Sequence, residues 1–199
     1  MSAQTLPSQR EILDQLLKVN HYFMESVPDP GKPTFGGGKE RTSNLWTRAV
    51  YYEGLMALQA IYPDECFLDY TLAWGNAHQW RPRGSNTTHN ADNQCCFQTY
   101  LDMYELTRDP RMITNVKLNL DACVADPQTH DWWWIDAIQM AMPAFAKMGR
   151  VTGDVKYWDK MMDYYLYTRN VHGGAGMYNP KDALWWRDHD YDAPYAEPN

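Results

Sequence analysis

Three turns at a fixed spacing constrain the fold of this chain more than any other feature. The same interval, 45 positions, separates Asp64 from Asp109 and Asp109 from Asp154. Apolar residues recur at helical spacing on both sides of each turn. An aspartate in such a turn is suited to capping the helix that follows. A fixed period of this size indicates repeated helix pairs.

The apolar pattern predicts three helical hairpins after an N-terminal helix. The N-terminal helix should begin after Ser8, because Ser8 and Glu11 have the spacing of a capping box. The segment 28–38 is rich in proline and glycine and is predicted to be a loop. The predicted hairpins run from about 44 to 61 and back through 67–74, from about 91 to 107 and back through 113–124, and from about 133 to 151 and back through 157–166.

The fold class predicted from this pattern is all-α, because no strand-like alternation persists beyond a few residues. The first helix of each pair is apolar nearly all round, as at 101–106 and 137–145, whereas the second is more amphipathic. We therefore expect buried inner helices and outer helices that face solvent. Closed into a ring, this array is an (α/α) toroid, and left open it is a solenoid. The 199 residues are enough for one domain, expected to span 1–199.

Composition excludes several classes of partner. The net charge is −7 and there is no lysine or arginine run, so no nucleic-acid partner is expected, because phosphate contacts need clustered basic residues. No apolar run approaches the roughly 20 residues of a membrane span, so no membrane partner is expected either. The four cysteines lack metal-ligand spacing and are interpreted as small buried residues, so no metal is expected.

The segment 131–140 carries three adjacent tryptophans between two aspartates. On a helix, consecutive side chains point about 100° apart, so the three cannot share one core face. We expect at least one of them to line a cavity, although packing in the core is the alternative interpretation. An aromatic wall beside a carboxylate suits the binding of a sugar ring and proton transfer next to it.

Two aspartates occupy related places in the repeat. Asp92 lies near the start of the second inner helix and Asp136 near the start of the third, whereas the equivalent position in the first pair falls at Thr47 or Arg48. We expect the two carboxylates at the same end of neighbouring inner helices. The alternative is structural, because an aspartate at a helix N-terminus also favours the helix dipole.

The last segment, 172–199, changes character. It opens with a glycine-rich stretch and continues with aromatic residues among charges, including Trp185, Trp186 and Arg187. This composition predicts a loop folded over a pocket. The alternative is an ordinary surface loop packed by its own aromatic residues.

Four motifs occur in order along the chain: Asn90-Ala91-Asp92-Asn93-Gln94, Gln98-Thr99-Tyr100, the segment 131–140, and His172-Gly173-Gly174 with Leu184-Trp185-Trp186-Arg187-Asp188. They resemble the unsaturated rhamnogalacturonyl hydrolases of glycoside hydrolase family 105, which are related to the unsaturated glucuronyl hydrolases of family 88. The resemblance runs from about Trp46 to Asn199. It implies an (α/α)6 barrel of about twice this length, of which the chain would be the N-terminal half.

The resemblance also implies a chemistry. Such enzymes remove a Δ4,5-unsaturated uronic acid from the non-reducing end of oligosaccharides that lyases release from pectin and rhamnogalacturonan. An aspartate protonates C4 and activates a water that attacks C5, and no cofactor takes part. The implied roles are catalytic for Asp136, with support from Asp92, and substrate-binding for Trp46, Trp134, Trp186 and Arg187.

Two departures from the family pattern stand out. Phe97 replaces a usual glycine, and a Trp-x-Arg-Gly-x-Gly-Trp segment that contacts substrate would be expected only after Asn199. Two other interpretations stay open: a non-catalytic helical-repeat protein that binds carbohydrate or acts as a scaffold, and another (α/α)6 sugar enzyme such as an epimerase or lyase.

A half-ring should also expose apolar residues along its open edges, which favours self-association. The residues expected to face water there are Leu45, Val50, Leu55, Ile138, Met142 and Phe145.

Overall fold

A computed structural model describes residues 6–191, with the exception of the His189 side chain, and within that range the chain is mostly helical. The predicted all-α class is confirmed, with two short antiparallel hairpins of strands that the sequence did not predict. No helix among the described residues is both long enough and apolar enough to cross a membrane. The elements are α1 Gln9–Ser26, β1 Thr34–Gly36, β2 Lys39–Arg41, α2 Trp46–Ile61, α3 Glu65–Ala77, α4 Ala91–Gln94, α5 Phe97–Thr107, α6 Arg111–Ala125, α7 Asp136–Thr152, α8 Lys156–Asn170, β3 Tyr178–Asn179 and β4 Leu184–Trp185.

The three predicted hairpins are present as α2–α3, α5–α6 and α7–α8. Helices α2, α5 and α7 lie side by side as an inner row, and each packs against its own outer helix, α3, α6 or α8. The carboxylates of Asp64, Asp109 and Asp154 each accept a hydrogen bond from the backbone N–H two residues later, at 2.9, 3.0 and 3.1 Å. The aspartates at the 45-residue interval therefore stabilise the start of each returning helix.

The sequence had suggested inner helices that are apolar nearly all round, but the inner helices of the structure are not. On one side they carry polar residues, among them Glu53, Asp102 and Lys147, which line a cavity of about 650 Å³ together with apolar residues. Polar pairs join positions 45 residues apart on neighbouring inner helices, so the sequence period is also the period of the contacts. These pairs are Glu53 with Gln98 at 3.0 Å, Asp102 with Lys147 at 2.6 Å and Glu105 with Arg150 at 2.5 Å.

The hydrophobic core lies between the inner and outer rows. Tyr52 of α2 stacks on Trp74 of α3 with ring centroids 3.8 Å apart, and the Trp74 indole N–H donates to the backbone oxygen of Ser43. Helix α1 begins after the Ser8 capping box and adds to this layer by stacking Phe23 on the ring of a tyrosine in α2. Aromatic pairs of this kind stabilise the packing of neighbouring helices.

The prediction of exposed inner-helix edges was partly wrong. Leu45, Leu55 and Phe145 are buried, because the apolar sides of the inner helices face the outer row. Val50 remains exposed, and Ile138 and Met142 are half-buried. Exposed apolar side chains also lie on the outer helices α1 and α8, at Ile12, Leu16, Val19, Met162 and Leu166.

Two helix boundaries differ from those predicted. The second inner helix is interrupted at Cys95 and Cys96, where Gln98 N–H donates to the Cys95 oxygen three residues back, at 3.3 Å. The third inner helix begins at Asp136 rather than near Trp133. The interruption leaves α4 as a separate short turn of helix next to the start of α7.

Candidate active site

Asp92 and Asp136 line one cleft of about 200 Å³. Asp92 lies on α4, which packs against α7, and Asp136 is the first residue of α7. The structure therefore brings the two carboxylates together at the same end of neighbouring inner helices, as the repeat predicted. Asp136 is exposed and Asp92 is half-buried, so both are accessible from the cleft.

The three tryptophans before Asp136 do not belong to a helix. Trp134 pairs with Asp188 in an isolated antiparallel bridge, and the Ile135 N–H donates to the Arg187 oxygen at 2.8 Å. The expectation of helical geometry was therefore wrong, because these backbone groups bond to the segment around 188 instead of to an earlier turn.

This backbone separates the tryptophans by role. Trp132 is fully buried and packs in the core against Phe145 and Tyr164. Trp133 and Trp134 both line the cleft, with ring centroids 4.8 Å apart in an edge-to-face arrangement. The prediction that at least one of the three lines a cavity is confirmed, and the core interpretation holds for Trp132.

Trp46 and Arg187 complete the cleft. Trp46 is the half-buried first residue of α2. The Arg187 guanidinium is largely exposed and forms an ion pair with the buried carboxylate of Asp188. Because the backbone of Arg187 also bonds to Ile135, the predicted loop over the pocket is attached to the tryptophan segment. Residues 192–199 of that predicted loop lie outside the described range.

Trp186 is the one predicted site residue that does not line this cleft. It is half-buried, and its backbone N–H donates to the Met177 oxygen at 2.8 Å. Neighbouring residues in an extended segment point to opposite sides. The side chain of Trp186 therefore lies away from the wall to which Arg187 contributes.

The cleft contains three further residues that the sequence did not single out as site residues: Asn90, Trp133 and Met140. Two of them could have been identified from the sequence, since Asn90 is two residues before Asp92 and Trp133 lies within the run of three tryptophans. Met140 follows Asp136 by four positions, which on a helix places both on one face. That relation becomes useful only once α7 is known to begin at Asp136.

A hydrogen-bond network anchors the segment that carries the tryptophans. Asp131 Oδ2 lies 2.8 Å from His89 Nδ1 and accepts a hydrogen bond from the Tyr164 hydroxyl at 2.6 Å. The buried Lys160 ammonium donates to two backbone oxygens of this segment, those of Asp126 and Gln128. The segment before Asp136 is therefore fixed to α8 and to the residues that precede α4.

The charge environment distinguishes Asp92. Burial raises the pKa of the Asp92 carboxyl, and the nearby negative charge of Asp136 raises it further, while Arg83 and Arg41 oppose the shift. A carboxyl in a cleft whose pKa is raised by burial and by a nearby like charge is typical of acid–base sites. Within residues 6–191, no three histidine, cysteine, aspartate or glutamate side chains are grouped so that they could hold a metal ion.

The fold and the cleft together define an (α/α) toroid protein with paired carboxylates and an aromatic wall at one end of its inner helices. A sequence model of Glycosyl Hydrolase Family 88 matches residues 16–199. The chain belongs to this family. The narrower resemblance to family 105 that the motifs indicated is not decided by this match.

Individual relatives agree with the family. A curated protein of Formosa agariphila, named unsaturated 3S-rhamnoglycuronyl hydrolase, is 26% identical over 159 residues, which are 72% of this chain. A solved structure of a glycosyl hydrolase family 88 protein from Bacteroides vulgatus superimposes with a TM-score of 0.82 at 27% identity over 94% of this chain. Another, described as a polysaccharide lyase, gives a TM-score of 0.83 at 26% identity, also over 94%. The chain spans 40% of the curated relative and 52% and 53% of the two structures.

Proposed function

We propose that this protein is a glycoside hydrolase that removes a Δ4,5-unsaturated uronic acid from the non-reducing end of an oligosaccharide. The observation that carries the proposal is the cleft, which gathers Asp92, Asp136, Trp46, Trp134 and Arg187 from separate segments of the chain. In this proposal residues 1–199 form part of one toroid catalytic domain, since the chain spans about half of the related structures.

In the proposed reaction, Asp136 acts as general acid and then as general base. Its carboxyl proton goes to C4 of the C4=C5 double bond, and its carboxylate then takes a proton from the water whose oxygen bonds to C5. The hemiketal formed at C5 opens by breaking its bond to the ring oxygen. The resulting hemiacetal at C1 collapses, which releases the rest of the oligosaccharide with a free hydroxyl and leaves an open-chain product.

Asp92 supports this step from within the same cleft. Its charge is coupled to that of Asp136, as the raised pKa of Asp92 indicates. A carboxyl in this position is suited to accept or donate a hydrogen bond to a sugar hydroxyl as charge develops on the ring. Coupled carboxyls titrate as a pair, so the pH profile should report the pair and not one group.

Substrate binding is assigned to the aromatic and cationic lining. The faces of Trp46 and Trp134 offer apolar surface for the sugar ring. An unsaturated uronate carries a carboxylate, which two aspartates in the cleft would repel. Among the described residues, Arg187 is the cation that lines the cleft, and its planar guanidinium matches carboxylate geometry. We assign the uronate carboxylate to Arg187.

For the substrate class we propose oligosaccharides that lyases release from pectin or rhamnogalacturonan. Two lines support this choice: the resemblance of the four motifs to family 105, and the name of the curated relative, which refers to a rhamnoglycuronyl substrate. Trp186 retains a proposed role only at a part of the substrate outside the cleft, since it does not line the cleft.

The experiment uses the intact protein with unsaturated disaccharides from lyase digestion of pectin, rhamnogalacturonan and glycosaminoglycan. Loss of the ultraviolet absorbance of the conjugated double bond is expected, fastest for the rhamnogalacturonan product, and absent in Asp136→Asn. No loss with any disaccharide would overturn the proposal. Binding of the disaccharide without turnover would favour the non-catalytic carbohydrate-binding alternative.

One structural relative supports a second candidate, because it is described as a polysaccharide lyase. A lyase creates the conjugated double bond instead of consuming it. The same assay with an intact polysaccharide therefore separates the two functions by the sign of the absorbance change. A rise on polysaccharide, with no fall on disaccharide, would replace the hydrolase by the lyase.

A further inference from the structure

A separate cavity of about 320 Å³ lies where α1 ends and α2 begins. It shares no residue with the cleft. Arg48, in the first turn of α2, forms one wall, and the loop after α1 forms the rest. The lining residues are Ser26, Val27, Pro28, Asp29, Lys32, Pro33 and Arg48.

Arg48 is a buried cation with an N–H group that is unpaired within residues 6–191. Only 8% of Arg48 is exposed, and its Nη1 atom is buried with no hydrogen-bond partner among the described residues. The guanidinium lies over the Phe23 ring, 5.0 Å from its centroid. This contact covers one face of the guanidinium but provides no hydrogen-bond acceptor for its N–H groups. A buried charge without a partner costs considerable free energy, so buried charges are normally paired.

The other charged groups of this cavity do not provide that partner. Asp29 uses its Oδ1 atom to accept the Gly31 N–H at 3.0 Å, and it forms no ion pair with Arg48. Lys32 is exposed and its ammonium forms no ion pair within residues 6–191. The cavity thus has two cationic side chains against one carboxylate, and its net charge is positive in a chain whose overall charge is −7.

We propose that this cavity binds an oxyanion, a sulfate or carboxylate group, which supplies the acceptor that Arg48 lacks and contacts Lys32. Arg48 shares the first turn of α2 with Trp46, so the site lies at the same end of the inner helices as the cleft. The oxyanion can be a free ion or an acidic group on an oligosaccharide, beyond the ring that is cleaved. The site uses neither Asp92 nor Asp136, so it goes beyond the proposed function.

Inorganic sulfate is the first probe, titrated calorimetrically into the intact protein at constant ionic strength, with chloride as the balancing anion. We expect saturable binding that is weakened at least about threefold in Lys32→Gln and about tenfold in Arg48→Gln, as for lost charge-assisted hydrogen bonds. Lys18→Gln, which removes an exposed lysine on α1 away from the cavity, should bind sulfate normally.

The Lys32 variant keeps the test decisive even if Arg48→Gln fails to fold, because Lys32 is on the surface. Sulfate and acetate that both fail to bind saturably would overturn the proposal. So would equal affinity of sulfate for Lys32→Gln, Lys18→Gln and the unchanged protein. Constant ionic strength matters because sulfate also stabilises proteins without binding them.

A second arm identifies the source of the oxyanion. If it is carried by substrate, Lys32→Gln should raise KM for an unsaturated oligosaccharide with a second acidic group and leave KM for the unsaturated disaccharide unchanged. If it is a free ion, both KM values should stay unchanged while sulfate binding is weakened. A protein that hydrolyses neither sugar would overturn the proposed function, and the sulfate titration would still decide the oxyanion site.

Discussion

The Nδ1 atom of His89 lies 2.8 Å from the Oδ2 atom of Asp131, and this contact joins the two segments that hold the carboxylates of the cleft. His89 precedes the helix that carries Asp92, and Asp131 opens the segment that leads through the tryptophans to Asp136. The Tyr164 hydroxyl of α8 donates to the same Asp131 oxygen, at 2.6 Å. Asp131 is therefore a fixed point from which both walls of the cleft are positioned.

Substitution of His89 should affect binding more than chemistry. In His89→Ala the tryptophan segment loses its contact with the segment before α4, so we expect KM to rise about tenfold, the size of one lost charge-assisted hydrogen bond, with a smaller fall in kcat. His89→Asn should largely restore KM, because its Nδ2 atom can take the place of the ring Nδ1. Steady-state kinetics on the unsaturated disaccharide measures both constants.

The matched control is His130→Gln, which changes an exposed histidine next to Asp131. Its kinetic constants should equal those of the unchanged protein. If His89→Asn were as impaired as His89→Ala, the hydrogen bond to Asp131 would not be what positions the wall.

Removal of the proposed acid–base group should abolish turnover without unfolding the protein. Asp136→Asn is expected to lower kcat by at least about 10²-fold, the low end for a lost general acid–base group. The melting temperature should change little, because Asp136 is exposed and forms no ion pair among the described residues. Asp159→Asn, an exposed change on α8, serves as the control. Near-normal turnover in Asp136→Asn would exclude this residue from the mechanism.

The pKa of Asp92 should respond to its neighbours in opposite directions. Asp136→Asn removes the repulsive charge, so the pKa of Asp92 should fall toward its ordinary value. Arg83→Gln removes an attractive charge, so the pKa of Asp92 should rise further. Carboxyl carbon NMR titration of the labelled protein measures both. If neither substitution changed the pKa of Asp92, the two carboxylates would not be coupled.

The same pKa shift predicts an effect on stability. A raised pKa means that the folded protein holds the Asp92 proton more tightly than the unfolded chain does, so ionisation at neutral pH favours unfolding. Asp92→Asn should therefore raise the melting temperature at pH 7, and the gain should vanish below the ordinary pKa of 3.8, where Asp92 is protonated in both states. Thermal denaturation across this pH range gives the sign, and a stability loss at pH 7 would contradict it.

The sequence predicted the hairpins well because their signals are local. Asp64, Asp109 and Asp154 each accept a hydrogen bond from the backbone N–H two residues later, at the start of a helix, and apolar spacing follows directly from helical geometry. The same period then predicted that Asp92 and Asp136 lie at the same end of their helices, since equivalent positions of a repeat occupy equivalent places.

The predictions that were wrong concern features that depend on contacts between distant segments. The tryptophan segment looked helical in isolation, but its backbone bonds to Arg187 and Asp188, more than fifty positions later, instead of to an earlier turn of helix. The charged and polar residues that the inner helices present to the cavity of about 650 Å³ were also missed. Their charges are balanced between helices, as in the pair of Asp102 with Lys147, and a helix read alone does not show that partner.

The outer helix α1 leads to a prediction about association. Ile12, Leu16 and Val19 are exposed on one face of α1 and line a surface groove of about 500 Å³. On α8, at the other edge of the helical array, Met162 and Leu166 are exposed. Apolar patches of this kind usually mark surfaces that associate. Burial of about 200 Å² of such surface would contribute about 5 kcal/mol, comparable with the whole stability of many domains.

Residues 1–199 produced alone should therefore self-associate through these outer edges. Size-exclusion chromatography with light scattering should show a mass above the 23.2 kDa of one chain, rising with concentration. The pair of changes Leu16→Glu and Val19→Glu should shift the protein toward the monomer, because each places a charge in the groove. Leu118→Glu, an equally exposed position on the middle outer helix α6, should not. A stable monomer at every concentration would show that the exposed face of α1 needs no partner, and that the packing of three hairpins is sufficient on its own.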